Sequence, residues 1–236
     1  AGGSNPSSPT MLIMKEIKIT LPDKTIKTVH TGTTAFDIAH QIGSGLARAV
    51  VVAKVNGELK DLNAPINKDC ELELLKGDSP EGHDTLLHST AHLMAQAVKT
   101  IFPTCQITIG PTIENGFYYD FDIEEPLSDK TLDKIENKMK ELAKSGQSIN
   151  REELNSDEAI KLFNKLGENY KVEIIEQINS EDPISGYRQS NFTDLCRGPH
   201  VSDTSKIKYF KLLSTSGAYW RGNEKNKMLQ RIYGTV

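Results

Sequence analysis

The sequence predicts an α+β protein: a small β-grasp (ubiquitin-like) module followed by a larger α+β domain built on an antiparallel sheet. Three observations predict it. The first 76 residues alternate apolar and polar around one short helical stretch, the pattern of half-buried strands. Asn-Gly pairs at 56–57 and 115–116 each fall between apolar runs, a strong hairpin signal. KGDSPEG, residues 76 to 82, has linker composition and separates the two patterns. The expected division is an arm at 1–10, the β-grasp module at 11–76, a linker at 77–84 and the α+β domain at 85–236.

Taken in order, AGGSNPSSPT is rich in Gly, Ser and Pro and reads as a tag remnant or disordered arm. MKEIKIT and TIKTVH read as two strands around an LPDK turn. TTAFDIAHQIG follows as a short helix with Phe36, Ile38, Ala39 and Ile42 as its apolar members and Gly43 suited to its end. AVVVAKV is a buried strand, and CELELL closes the module. In the second part, Asp84 is expected to cap a helix to about Phe102, where Pro103 stops it. QITIGPTIENGFYYDFDI reads as two strands around Asn115-Gly116. Ser128 caps an amphipathic helix with Leu132, Ile135, Met139 and Leu142 on one face and Gly146 past its end. A shorter helix from about Asp157 to Leu166 is expected, with Ser156 as its cap and Gly167 as its stop. KVEIIE, IKYFKLL and MLQRIY read as strands.

At 236 residues the chain is long enough for one large or two modest domains. With 25% charged and 37% apolar residues it reads as soluble and globular. No apolar run approaches the roughly 20 residues of a membrane span, and no charged-then-apolar leader is expected. Cys70, Cys105 and Cys196 are odd in number and scattered, which suits a reducing cytoplasm and not a disulfide framework. A net charge of −4 weighs against indiscriminate nucleic-acid binding but leaves 28 Lys and Arg to form a local groove.

Two motifs carry chemistry. HSTAH places His88 and His92 four residues apart, one above the other on a helix beside a stripe of Leu87, Ala91, Met94 and Val98. NFTDLCRGPH brings Asp194, Cys196 and His200 within seven residues. Alone, each half reads equally well as satisfied core histidines or as a turn. Together they offer donors of the types that suit tetrahedral zinc. They equally suit a Cys–His nucleophilic pair, or a polar pocket that orders water for hydrolysis.

HSTAHLMAQAV, IGPTIENGFYYDFD, YKVE, DLCRGPHV and LQRIYGT resemble, in order and spacing, the editing domain of the threonyl-tRNA synthetases. The preceding module resembles that family's TGS domain, and the likeness spans about residues 11 to 236. The resemblance implies hydrolysis of mischarged seryl-tRNA(Thr) to serine and tRNA, by a portion able to edit but not to charge. Such a second site answers a physical limit, since one methylene is worth only ~1–3 kcal/mol of discrimination. Carried over by motif, the editing residues are His88, His92, Lys171, Asp194, Cys196 and His200, with Gly110 leaving room for the aminoacyl group. On that reading Lys171 polarises the ester or holds a leaving-group water, and His88 positions or deprotonates the attacking water. Asp194 accepts bonds from the serine ammonium or hydroxyl. Tyr119 is the candidate to stack on the terminal adenine, and Arg197 to meet a phosphate or a nearby carboxylate. Trp220 and Arg221 read as packing residues.

The resemblance implies no cofactor for editing, with ATP, Mg and zinc belonging to the family's class II catalytic domain, which this sequence does not contain. The related alanyl-type editing domains imply zinc instead, which His88, His92, Cys196 and His200 would hold. The implied partner is the acceptor end of tRNA(Thr), with no membrane. The family dimerises through the catalytic domain, so this chain is expected to be a monomer, and cytoplasmic. Two rivals remain: a non-catalytic module that binds the tRNA acceptor, and a regulatory protein folded around structural zinc.

Overall fold

The computed structural model describes residues 15–178 and 183–236, and the arm expected at 1–10 lies outside the described residues. The first domain begins with β1 (Glu16–Thr20) and β2 (Ile26–His30), followed by α1 (Ala35–Ile42) and α2 (Ser44–Ala49). β3 (Val50–Val55), β4 (Glu58–Lys60) and β5 (Cys70–Lys76) complete a sheet of order β2-β1-β5-β3-β4. Ile17 and Ile19 alternate inward from β1, and α1 lies on the same core through Ala35, Ile38 and Ala39. Thr34 starts α1 with a reciprocal cap, its hydroxyl accepting from the Asp37 N–H while Asp37 accepts from the Thr34 N–H. Asn56 and Gly57 both take positive φ, 48° and 84°, which is the geometry that a two-residue β3–β4 hairpin demands.

The second domain is organised by α3 (Pro80–Ile101), which is buried almost all round from Ser89 to Val98. Its start departs from the expected Asp84. The Ser79 hydroxyl accepts from the Gly82 N–H at 3.1 Å, and Pro80 occupies the first turn, where no N–H is required. The expected linker 77–84 is thereby half absorbed into helix. One face of α3 packs on the sheet β12-β13-β8-β6, formed by β12 (Lys211–Tyr219), β13 (Met228–Thr235), β8 (Gly116–Asp122) and β6 (Gln106–Ile107), with β7 (Thr112–Ile113) on β8. Phe117, Tyr119 and Phe121 alternate from β8 into that core. A second sheet, β11-β10-β9, is formed by β9 (Ile149–Leu154), β10 (Ile184–Gln189) and β11 (Phe192–Leu195). All strand pairs of these two sheets are antiparallel.

α4 (Asp129–Lys144) begins at Ser128 and buries Leu132, Ile135 and Met139 as its spacing predicts. α5 (Ser156–Leu166) takes Asn155, not Ser156, as its cap, because the Asn155 side chain accepts from the Glu158 N–H at 2.9 Å. KVEIIE is not a strand: it lies in α6 (Asn169–Glu176). Its β-branched residues mimic alternation, but Lys171 and Ile175, four apart, are the residues it buries, which is helical spacing. The strand expected from 207 begins only at Lys211.

The two domains share buried surface. Val51 and Val52 of β3 belong to the same core as α3 and the β8 aromatics. Lys54 reaches Glu81 in the first turn of α3 at 2.6 Å. The Lys206 ammonium donates to the carbonyls of Ala47, Arg48 and Val50 at 2.8, 3.1 and 3.1 Å, capping the end of α2.

Candidate active site

Four elements converge below a cleft. α3 supplies His88 and His92, whose rings meet edge to face at 5.1 Å. β11 and the loop after it supply Asp194, Cys196 and His200, and α6 supplies Lys171. All six are brought together, so the two motifs, 108 residues apart at His88 and Cys196, form one cluster. Tyr119 enters it from β8.

The polar centre is Asp194. It is fully buried, and its Oδ1 lies 2.5 Å from the Lys171 ammonium as an ion pair without ordinary hydrogen-bond geometry. Its Oδ2 accepts from the Tyr119 hydroxyl at 2.7 Å and lies 3.2 Å from His92 Nδ1. Lys171 also donates to the Tyr119 oxygen at 3.1 Å. The second centre is Cys196 Sγ, which lies 3.1 Å from His88 Nε2 and 3.3 Å from His200 Nε2 and accepts from the Gly198 N–H at 3.2 Å. Burial lowers the affinity of His88 for a proton, with the Asp84 and Asp194 charges opposing it. Burial holds His92 and His200 well below the ordinary histidine range, reinforced by the repulsion that protonated rings this close would feel and, at His92, by the Lys171 charge. Three neutral imidazoles therefore surround the sulfur near pH 7. Burial pushes the Cys196 thiol up to about 12, against the Gly198 N–H.

Two further residues complete the centre that the sequence did not flag. Ser89, between the two histidines of HSTAH, lies 3.1 Å from His200 Nδ1. Tyr187 lays its ring edge on His200 at 4.4 Å. Ser89 was legible in hindsight, being the small polar residue inside the motif; Tyr187 carries no local signal.

The cleft above has a volume of about 660 Å³ and is bordered by Ile109, Arg151, Lys171, Ile174, Cys196 and Arg197. That size and mixed lining suit a small organic ligand. Of the six expected residues, Lys171 and Cys196 line it; His88 does not border it but is half-buried behind Cys196, and Asp194, His92 and His200 are buried. Two expectations do not fit. Tyr119 is fully buried with its hydroxyl engaged, so its ring has no face free for a base. At Gly110 the position of an added Cβ lies 2.1 Å from the Tyr119 ring, so the missing side chain makes room for that ring and not for an aminoacyl group. Arg197 is exposed at the cleft edge, where its carbonyl accepts from Arg151 at 2.7 Å. Trp220 packs as expected, against Tyr170 at 5.0 Å and donating to Glu173.

Residues 17–76 match the TGS domain family, and residues 184–233 match the family described as threonyl and alanyl tRNA synthetase second additional domain. The chain carries both domain types of the threonyl-tRNA synthetases. It is 53% identical over 223 residues to a threonine–tRNA ligase of Citrifermentans bemidjiense, 94% of this chain and 35% of that one. Against those of Acetivibrio thermocellus and Rickettsia bellii the identities are 51% and 49%, each over 93% of this chain and 34% or 35% of the relative. The chain thus spans about a third of the length of the curated relatives it matches. The second additional domain match supplies one side of the cleft, from Ile184 to Arg197. The match at 184–233 contains Asp194, Cys196 and His200, and α3 and α6 complete the site from outside it. Among the described residues no helix is long and apolar enough to cross a membrane.

By donor type the site also fits a tetrahedral ion. One ligand atom each from His88, His92, Cys196 and His200 lies within 4.8 Å of the others. His92 already rests its other ring nitrogen on a carboxylate, as metal-bound imidazoles commonly do.

Proposed function

We propose that this chain is the editing portion of a threonyl-tRNA synthetase and hydrolyses seryl-tRNA(Thr) to serine and free tRNA. The observation that carries this reading is the buried Lys171–Asp194 pair at the floor of an open cleft, beside three neutral imidazoles. A buried cation held against a carboxylate is a preorganised charge, worth far more to a developing oxyanion there than in water. Water adds to the ester carbonyl carbon, the bond to the ribose oxygen breaks, and that oxygen leaves with a proton. His88, the least enclosed of the three imidazoles, orients the water or takes its proton. Lys171 stabilises the negative charge that builds on the ester oxygens. Asp194 acts from beneath: with Lys171, Tyr119 and His92 on it, it fixes the ammonium and the His92 ring and leaves contact with the serine to other groups. Arg151 and Arg197 at the cleft edge supply charge for the phosphates of the tRNA acceptor end.

The hydrolysis is read as independent of metal, because Lys171 already brings a positive charge to the ester. Zinc, if it is the resident ion, would be held by His88, His92, Cys196 and His200 and would supply Lewis-acid charge at the same place.

The test is deacylation of seryl- and threonyl-tRNA(Thr) by this chain, before and after chelation. Rapid loss of serine alone, unaffected by the chelator, supports both statements. Loss that stops on chelation keeps the function and assigns the ion. Tight tRNA binding with no loss of either ester favours the acceptor-binding module instead.

A further inference from the structure

Asp61, just after β4, belongs to the TGS domain, yet its carboxylate lies against the second additional domain. Its Oδ1 accepts from the His200 backbone N–H at 2.8 Å, and its Oδ2 accepts from the Tyr187 hydroxyl at 2.8 Å. Tyr187 in turn rests edge-on against the His200 ring, with centroids 4.4 Å apart and planes at 69°. The approach is enforced from the other side, since at Gly198 a Cβ would lie 1.9 Å from the Tyr187 oxygen and φ is +72°. One carboxylate therefore holds both the backbone and the ring contact of a single histidine.

The far side of that ring is equally determined. Ser89 Oγ accepts from the Val201 N–H at 3.1 Å and lies 3.1 Å from His200 Nδ1, while His200 Nε2 lies 3.3 Å from Cys196 Sγ. The ring is thus held at both nitrogens, whichever of them carries the proton. A rotation of the ring by a fraction of a radian would break these contacts, and small misplacements of that kind can cost about a hundredfold in rate.

We propose that Asp61 is a positioning residue through which the TGS domain sets the orientation of His200 in the editing site. The proposal rests on the editing reading for its kinetic consequence, while its structural content stands apart from it. It gives the TGS domain a role that its own residues, which hold no catalytic grouping, do not reveal.

The experiment uses the whole chain and compares Asp61→Ala, Asp61→Asn and Tyr187→Phe with Lys206→Met. The last removes a different contact between the domains, the ammonium on the Ala47, Arg48 and Val50 carbonyls. Asp61→Ala is expected to lower kcat for seryl-tRNA by about ten- to a hundredfold with KM unchanged. Asp61→Asn keeps an acceptor for the His200 N–H and is expected within about fivefold of the parent. Lys206→Met is expected within about twofold. Equal losses in Asp61→Ala and Lys206→Met overturn the proposal, because domain docking alone then explains both. The second readout is the ring-nitrogen NMR signals of His200, expected as one tautomer in the parent and as a mixture in Asp61→Ala. If the parent has no deacylase activity the editing reading fails, and the NMR arm still decides: His200 signals unchanged in Asp61→Ala overturn the positioning role.

Discussion

The Lys171 ammonium and the Asp194 carboxylate lie 2.5 Å apart with at most 2% of either side chain exposed. Removing the cation leaves the carboxylate with Tyr119 and His92 but no compensating charge. Breaking one side of such a pair costs about 3–5 kcal/mol. Lys171→Met is therefore expected to lower Tm by about 10 °C and to abolish measurable deacylation. Adding Asp194→Asn to it should restore part of the Tm and none of the activity. Calorimetry of the three variants checks this, and a Lys171→Met protein that melts with the parent contradicts the energetic reading.

Cys196 is expected to be chemically quiet. With the thiol pushed up to about 12, its thiolate population at neutral pH falls on the order of a thousandfold below that of a cysteine at 9.0. Alkylation by iodoacetamide at pH 7.5, followed by mass spectrometry, should leave Cys196 unmodified in the folded chain and modify it in urea. Cys196→Ser is expected to retain deacylation within about tenfold, since in the proposed mechanism water and not sulfur attacks the ester. A trapped acyl-sulfur intermediate would reverse that assignment.

Acid should weaken the fold through Glu136. Burial raises this carboxyl, but hydrogen bonds from Lys140, Lys211 and the Leu212 N–H outweigh it and hold it at about 2. A carboxyl held below its unfolded value of 4.5 contributes stability above that pH and loses it as the pH falls toward 2. The contribution at neutral pH is on the order of 3 kcal/mol. Urea titrations of Glu136→Gln should show that deficit at pH 7 and convergence with the parent near pH 2. A deficit that is the same at both pH values would assign the effect to packing.

Gly110→Ala tests the Tyr119 seat. The new methyl would meet the Tyr119 ring at 2.1 Å, and that ring is fully buried with its hydroxyl tied to Asp194. Overpacking of this kind costs about 1–3 kcal/mol and displaces the ring. Lower stability together with slower deacylation is expected. A variant with full stability and reduced substrate affinity would instead return Gly110 to the role of lining the ligand space.

Much of this was legible in the residues. The β-grasp order, the helix after Ser128 and the Asn56-Gly57 hairpin follow from alternation, capping chemistry and positive φ, all of which act within a few residues. The pairing of HSTAH with DLCRGPH was legible as chemistry, because histidine, cysteine and aspartate of these types have few shared uses. What escaped is what only packing decides. KVEIIE has strand composition but helical burial, and Lys171 gains its role only once α6 turns it inward. Tyr119 reads in the sequence as a stacking platform for the terminal adenine and is a buried strut. Asp61 was silent, because the partners that define it lie 126 and 139 residues away.

The burial of Val51 and Val52 in the core built around α3 has a thermodynamic consequence. Two domains joined by a loose tether melt independently, each at its own temperature. Here the β3 strand that completes one sheet also covers the helix that carries both histidines of the other domain. Neither half presents a finished surface without its neighbour. On this packing the chain is expected to unfold in one calorimetric transition, and a nick at 77–79, between β5 and α3, to leave two pieces that remain associated or unfold together.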